Sequence, residues 1–279
     1  MTALLTEAER LAAALGPLSL SHVHRRIMAE GGQHPRRRAG SGTEFWQYRP
    51  LAPGEARGRV DWRRSARSDD LFVREREREE PGRLLLFADG SGSMRFRSSE
   101  ALAEKGEAAT LLLTALAMAA RQGDEHVRVA GRPDARALPD LHAALLTSVF
   151  SVPETGALRA GDTIIWASDF LDSDDLATVT ALARRGVTGV MLHIADPVEA
   201  DFPFSGHVRF TRAEIGDPEA DIGRAEALSD TYAKAWQEHQ DRLGTMAADN
   251  GWALIRHRTD ADPAVTLSAI ARHLMSEAG

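Results

Sequence analysis

From residue 83 onward short apolar runs alternate with longer stretches of helical period. RLLLFAD (83–89) and DTIIWASD (162–169) are almost continuously apolar, the pattern of strands covered on both faces. EHVRVAG (125–131), VTGVMLHIAD (187–196) and WALIRHRT (252–259) read as further strands, with HVRF (207–210) a short one in an otherwise irregular stretch over 197–226. Between them, 98–123, 138–150, 173–186, 228–251 and 263–278 carry the three-to-four-residue apolar spacing of helices. Serines 98 and 99 mark the start of the first of these and Gly123 its end. Ser173 is the expected N-cap of the third, which opens on acids, closes on arginines and stops at Gly186. Strand and helix in regular alternation predict an α/β fold: a mostly parallel sheet in three layers, with helices on both faces.

The first 81 residues follow a different pattern. TEAERLAAALGPL (6–18) is a short helix with Thr6 as its cap and Gly16-Pro17 as its stop. GGQHPRRRAGSG (31–42) reads as a loop. TEFWQYRPLAPGEARGRVDW (43–62) has strand-forming aromatics broken by Pro53-Gly54, and LFVREREREE (71–80) alternates strictly. A strand puts Arg74, Arg76 and Arg78 on one face and Glu75, Glu77 and Glu79 on the other. A helix would stack like charges four apart, which argues for the strand. The expected division is therefore a small N-terminal, β-rich extension over 1–81 and an α/β domain over 82–279.

Composition narrows the chemistry. No cysteine is present, which removes disulfides, thiolate metal sites and cysteine nucleophiles. The apolar run AATLLLTALAMAA (108–120) is too short to span a bilayer, and residues 1–20 have no leader pattern; a cytoplasmic protein without a membrane partner is expected. The net charge of −7 is uneven: 15 Lys+Arg against 12 Asp+Glu up to residue 80, and 19 against 29 thereafter. Residues 36–67 hold nine arginines and three acids, a local excess that could attract nucleic acid, an acidic protein or the acidic part of the same chain.

The chemistry-bearing motif is DGSGS (89–93), placed where the first core strand gives way to a helix. Open α/β sheets bind ligands beyond the carboxyl ends of their strands. SDFLD (168–172) occupies the corresponding end of a second strand. If the two strands are neighbours, Asp89, Ser91, Ser93 and Asp169 meet. All four offer oxygen, the donor set of a hard cation: Mg²⁺, with Mn²⁺ and Ca²⁺ as alternatives. Two carboxylates and two hydroxyls would leave such an ion able to accept a carboxylate from outside. A nucleotide loop would need Gly-Lys-Ser/Thr and a hydrolase elbow G-x-S-x-G, and neither is present around these serines.

This arrangement resembles the metal-ion-dependent adhesion site of von Willebrand factor type A domains. The upstream EFWQYRPLAPGEARGRVDWRRSAR and LFVREREREE resemble the signature of a bacterial family catalogued as domain of unknown function fifty-eight, which carries a type A-like domain. The resemblance implies Asp89, Ser91, Ser93 and Asp169 around Mg²⁺, binding without catalysis, and a protein partner offering Asp or Glu. It further implies that this partner is a MoxR-type AAA ATPase or its client. Two departures are visible. The type A threonine from an intervening loop has no counterpart in AGRPDARALPDL (130–141), leaving Thr147 and Thr155 as the nearest. Glu55 is followed by Ala56 where the upstream signature has two acids.

The basic segment supplies a second candidate surface. Tyr48, Arg57, Trp62, Arg63, Arg64 and Arg67 combine guanidinium groups with aromatic rings, a pairing frequent at recognition sites. A partner protein, the acidic domain of the same chain, or nucleic acid could face it, the last disfavoured by the acidic remainder. Nucleic-acid association through 36–67 is thus the alternative function. Metal-dependent hydrolysis is a third reading and would need Asp172 as its base.

Overall fold

A computed structural model of the chain describes residues 2–20, 39–51, 60–66, 70–77, 83–210 and 220–276. They fall into two compact units, one of residues 25–81 and one of residues 1–24 together with 82–279. The N-terminal helix α1 (Thr2–Leu15) thus belongs with the larger unit, whereas the sequence pattern grouped it with the extension.

In the smaller unit β1 (Ala39–Pro50) pairs antiparallel with β2 (Phe72–Glu77), with register shifts between Gly40 and Gln47. The expected loop therefore ends before Ala39, because residues 39–42 are already strand. Between the strands a helical turn, α2 (Trp62–Ser65), is capped by Asp61, whose Oδ1 accepts the Arg64 N–H at 3.0 Å. Residues 78–80 and the expected Pro53-Gly54 turn lie outside the described residues.

The larger unit is the α/β body. After β3 (Arg83–Ala88) come α3 (Lys105–Gln122), β4 (His126–Val129), α4 (Leu138–Leu146), β5 (Thr163–Ser168), α5 (Ser173–Arg184) and β6 (Thr188–Ala195). A short α6 (Pro197–Asp201) leads to the β7 (Val208–Phe210) and β8 (Ala220–Ile222) pair, then α7 (Ser229–Asp249), β9 (Ala253–Arg258) and α8 (Pro263–Ser276). Five strands form one parallel sheet in the order β4-β3-β5-β6-β9.

Period-two alternation divides the buried strands between two cores. Leu84, Leu86, Ile165 and Ala167 face α1, α3, α4 and α8, while Leu85, Phe87, Ile164 and Trp166 face α5 and α7. That gives the expected three layers. The apolar run 108–120 is the buried side of α3, and α1 packs over it with the Leu18 N–H donating to the Ala119 carbonyl at 2.9 Å. A helix apolar on most of its circumference belongs in a core; among the described residues none is long and apolar enough to cross a membrane.

Three helix boundaries differ from expectation. α1 begins at Thr2, so Thr6 lies inside it. α3 begins at Lys105, seven residues past Ser98, where the Glu104 N–H donates to Glu107 Oε2 at 3.1 Å. α5 is capped by Asp172, whose Oδ1 accepts the Asp174 N–H at 3.0 Å, so the cap precedes Ser173 by one residue. The start of the stretch expected to be irregular is helical, because Pro197 at the start of α6 and a capping box from Asp196 to Glu199 nucleate a turn.

Candidate functional site

In this strand order β3 crosses over to β4 on one side and β5 to β6 on the other. Between β3 and β5 the crossovers diverge, which opens a crevice at their carboxyl ends. Asp89 follows β3 and Asp169 follows β5, so the two strands that carry the acids are neighbours. The Asp89 N–H continues the ladder to the Ala167 carbonyl at 2.9 Å.

The four expected residues come together there. Asp89 Oδ1 accepts the Ser91 N–H at 2.7 Å. Ser91 Oγ lies 3.0 Å from Ser93 Oγ, and hydrogen bonding from Ser91 acts to lower the Asp89 pKa as that from Ser93 lowers the Asp169 pKa. Both hydroxyls thus sit beside the carboxyls. Gly90 permits the close approach of a neighbouring loop: its N–H donates to the Phe150 carbonyl at 2.9 Å, and a Cβ on it would lie 2.1 Å from the Ser148 carbonyl oxygen.

Asp169 has a partner that the motif does not contain. Lys105, fully buried at the start of α3, places Nζ 3.0 Å from Asp169 Oδ2 and 2.6 Å from Glu199 Oε1 on α6. Burial opposes its charged form, but the Asp169 and Glu199 charges outweigh that and raise its pKa. Burial likewise opposes ionisation of Asp169, and the Lys105 charge with the Ser93 and Leu171 hydrogen bonds holds its pKa below the ordinary range. Asp169 is thus a carboxylate paired with an ammonium.

Among the described residues Asp89 has no such partner. Burial raises its pKa, opposed by hydrogen bonds from Ser168 and Ser91 and reinforced by the Asp169 charge. Ser168 Oγ donates to Asp89 Oδ2 at 2.7 Å and lies 3.5 Å from Asp175 Oδ2. A hydroxyl has one proton, here given to Asp89, so the 3.5 Å contact leaves Asp175 only weakly bonded. Burial, with the Asp89, Asp172 and Asp169 charges, pushes Asp175 up to about 8, and its Oδ1 is buried without a partner. Three carboxyls thus crowd one volume, with a single ammonium that serves Asp169 and Glu199.

Among the described residues no three His, Asp or Glu side chains form a metal-holding group, so a cation here would rest on two carboxylates and two hydroxyls. The donor chemistry fits. All oxygens are hard, Asp89 has no ion-pair partner among the described residues, and a cavity of about 80 Å³ lies beside Asp89 and Ser91, lined also by Arg95, Glu107 and Ser148 and not by Ser93 or Asp169. Neither threonine joins the cluster among the described contacts. Thr147 Oγ1 donates to the Ala143 carbonyl at 2.7 Å, closing α4, and Thr155 lies in a separate 3-10 turn.

Around the crevice large apolar side chains stand in water. Val149 is 70% exposed, Phe150 and Leu171 60%, Leu146 39% and Phe96 38%. Each belongs to the wall of the site. Phe150 accepts from Gly90, and the Leu171 N–H donates to Asp169 Oδ1 at 3.3 Å. Leu146 lines the small cavity, and the Phe96 carbonyl accepts the Lys105 N–H.

The basic surface is only partly described. Trp62 is 60% exposed, Arg63 and Arg64 are exposed, and the Arg64 guanidinium lies 5.4 Å from the centre of the Phe72 ring. Arg57, Arg67 and the Tyr48 side chain lie outside the described residues. Asp172, the base a hydrolytic site would need, is exposed and caps α5.

Sequence reasoning missed Lys105, Glu199 and Asp175. Lys105 carried a signal, being one of two lysines in a chain otherwise basic through arginine. Glu199 carried a weaker one, the Asp-Pro-x-Glu pattern directly after a buried strand.

Residues 47–141 match the family model described as protein of unknown function DUF58, a third of the chain that takes in the arginine-rich segment, DGSGS and Lys105 and ends before Asp169. No curated protein and no solved structure matches the chain.

Proposed function

We propose that the chain is a non-enzymatic docking module whose contact surface is the carboxyl-end crevice between β3 and β5. In this reading Asp89, Ser91, Ser93 and Asp169 hold a divalent cation, Mg²⁺ first, in the manner of a von Willebrand type A adhesion site. The ion supplies a Lewis-acidic point that accepts an Asp or Glu carboxylate from a partner protein. The residues themselves do the rest. The two serines stand beside the two acids, Lys105 keeps Asp169 ionised and fixed, and Ser168 orients Asp89.

The single observation that carries the reading is the set of exposed apolar side chains on the segments that flank a buried acid and hydroxyl cluster. Protein contacts combine a desolvating apolar surround with a few central polar anchors, and Phe96, Leu146, Val149, Phe150 and Leu171 have that relation to the cluster. A docking role is also favoured over hydrolysis because Asp172 is committed to its helix cap. By family resemblance the proposed partner is a MoxR-type AAA ATPase or its client, met in the cytoplasm.

The test is capture of such an ATPase by the full chain in magnesium and in excess chelator. Magnesium-dependent capture that Asp89→Ala abolishes supports the reading; capture of equal strength in chelator, or undiminished in Asp89→Ala, refutes it.

A further inference from the structure

A second cavity, of about 350 Å³, lies on the α7 face of the sheet beyond the ends of β6 and β9. His193 and Ala195 of β6, Arg256 and Arg258 of β9, and Trp236 and Gln240 of α7 line it. The strand residues share one face because His193 pairs with Arg256 and Ala195 with Arg258 in a parallel register. Its volume falls in the range of small-molecule sites, which run from roughly 300 to 1,000 Å³.

Its polar groups are unevenly satisfied. Arg258 is fully engaged, bidentate to Asp201 at 3.1 Å and paired with Asp260 at 2.9 Å. Arg256 has no carboxylate among the described residues; its Nε donates to Gln240 Oε1 at 2.6 Å and its Nη2 to the Gln240 carbonyl at 3.4 Å. A guanidinium can only donate, so the oxygen of the Gln240 amide must be the atom facing Arg256. That leaves Gln240 Nε2 as a donor, and it is buried without a partner on a residue only 8% exposed. An orphaned buried donor is destabilising.

His193 adds a third polar group. It is 2% exposed, and its ring nitrogens have no hydrogen bond among the described residues. Its ring packs against Trp236 and His239, with centroids 5.8 and 5.7 Å away. Burial holds it neutral, so one of its nitrogens carries a proton to donate. A guanidinium without a carboxylate among the described residues and an imidazole thus line one cavity. Trp236, Ala195 and Ala200 supply an apolar wall.

We propose that this cleft binds a small organic carboxylate, with its carboxyl group on Arg256 and its apolar body against Trp236. A planar carboxylate matches a guanidinium fork, and the indole rewards a hydrocarbon body that inorganic phosphate lacks. His239, which packs on His193 and lies 3.2 Å from the Asp169 carbonyl, stands between this site and the crevice of β3 and β5.

Benzoate is the probe. The full chain is titrated with benzoate, inorganic phosphate and benzylammonium by calorimetry and tryptophan fluorescence. Saturable one-to-one binding of benzoate is expected, with benzylammonium inert. Affinity should fall at least about tenfold, or 1.4 kcal/mol, in Arg256→Gln. Gln240→Glu should abolish binding as well, because it sets a carboxylate on Arg256 while keeping that contact in the fold; it decides the matter if Arg256→Gln does not fold. Benzoate affinity unchanged in Gln240→Glu, binding of phosphate without benzoate, or no saturable benzoate binding up to about 10 mM would each overturn the proposal.

Discussion

Lys105 is the residue on which the electrostatics of the crevice turn. Its ammonium is fully buried between Asp169 and Glu199, and removing one member of a buried ion pair costs about 3–5 kcal/mol because the remaining charge is left unpaired. Lys105→Met keeps the stem and deletes the charge. It should lower stability by about that amount, read from urea unfolding; a loss below about 1 kcal/mol would mean that water reaches the pair. The four residues of the motif were legible because their chemistry is local: DGSGS and SDFLD each sit at a strand end, and any parallel pairing of those strands brings them together. Lys105 was not legible in the same way. Its role depends on a helix start placed 64 residues before Asp169 in the chain, and no short-range pattern encodes that distance.

At the scale of elements, the buried strands β3 and β5 declared themselves through nearly unbroken apolar runs, and β4, β6 and β9 fall on the three further segments read as strands. Helix starts were harder. Ser98 and Ser99 have the capping chemistry, yet the Ser98 N–H is drawn to Asp196 Oδ2 at 2.9 Å, and the chain waits until Glu104 to begin α3. Those intervening residues bring Phe96 and the loop before α3 to the rim of the crevice, so the delay shapes the site. The pairing of Asp196 with Ser98 joins segments 98 residues apart, which explains why local propensity misplaced the boundary. Likewise Asp172 outcompetes Ser173 as the cap of α5 because Phe170 takes a left-handed conformation, φ 53°, that ends β5 and turns the chain early. That conformation is costly for a bulky residue, and it is held by packing of the buried Phe170 ring against Trp166 at 5.5 Å.

For the whole molecule, buried titratable groups set how stability depends on pH. Asp175 shifts from an ordinary 3.8 to about 8 on folding, so between those values the folded chain keeps a proton that the unfolded chain releases, and stability falls as pH rises. His193 and His257 shift from 6.5 down to about 3 and about 4, so below 6.5 the unfolded chain takes up two protons that the folded chain refuses. His142 and His239 are lowered by burial as well, so the histidines outweigh the carboxyls on the acid side, and Asp175 is the strongest raised carboxyl above 6.5. Urea midpoints measured in chelator should therefore peak near pH 6.5, with an alkaline limb of about 1.4 kcal/mol per pH unit that Asp175→Asn flattens. A limb of equal slope in Asp175→Asn would assign it to another group. The central claim concerns the crevice itself, and calorimetric titration of the full chain with Mg²⁺, beside Asp89→Asn and Ser93→Ala, tests it most directly. The account predicts one saturable site in the native chain and its loss in Asp89→Asn, with weakening in Ser93→Ala. Absence of Mg²⁺ binding, or binding untouched by Asp89→Asn, would contradict it.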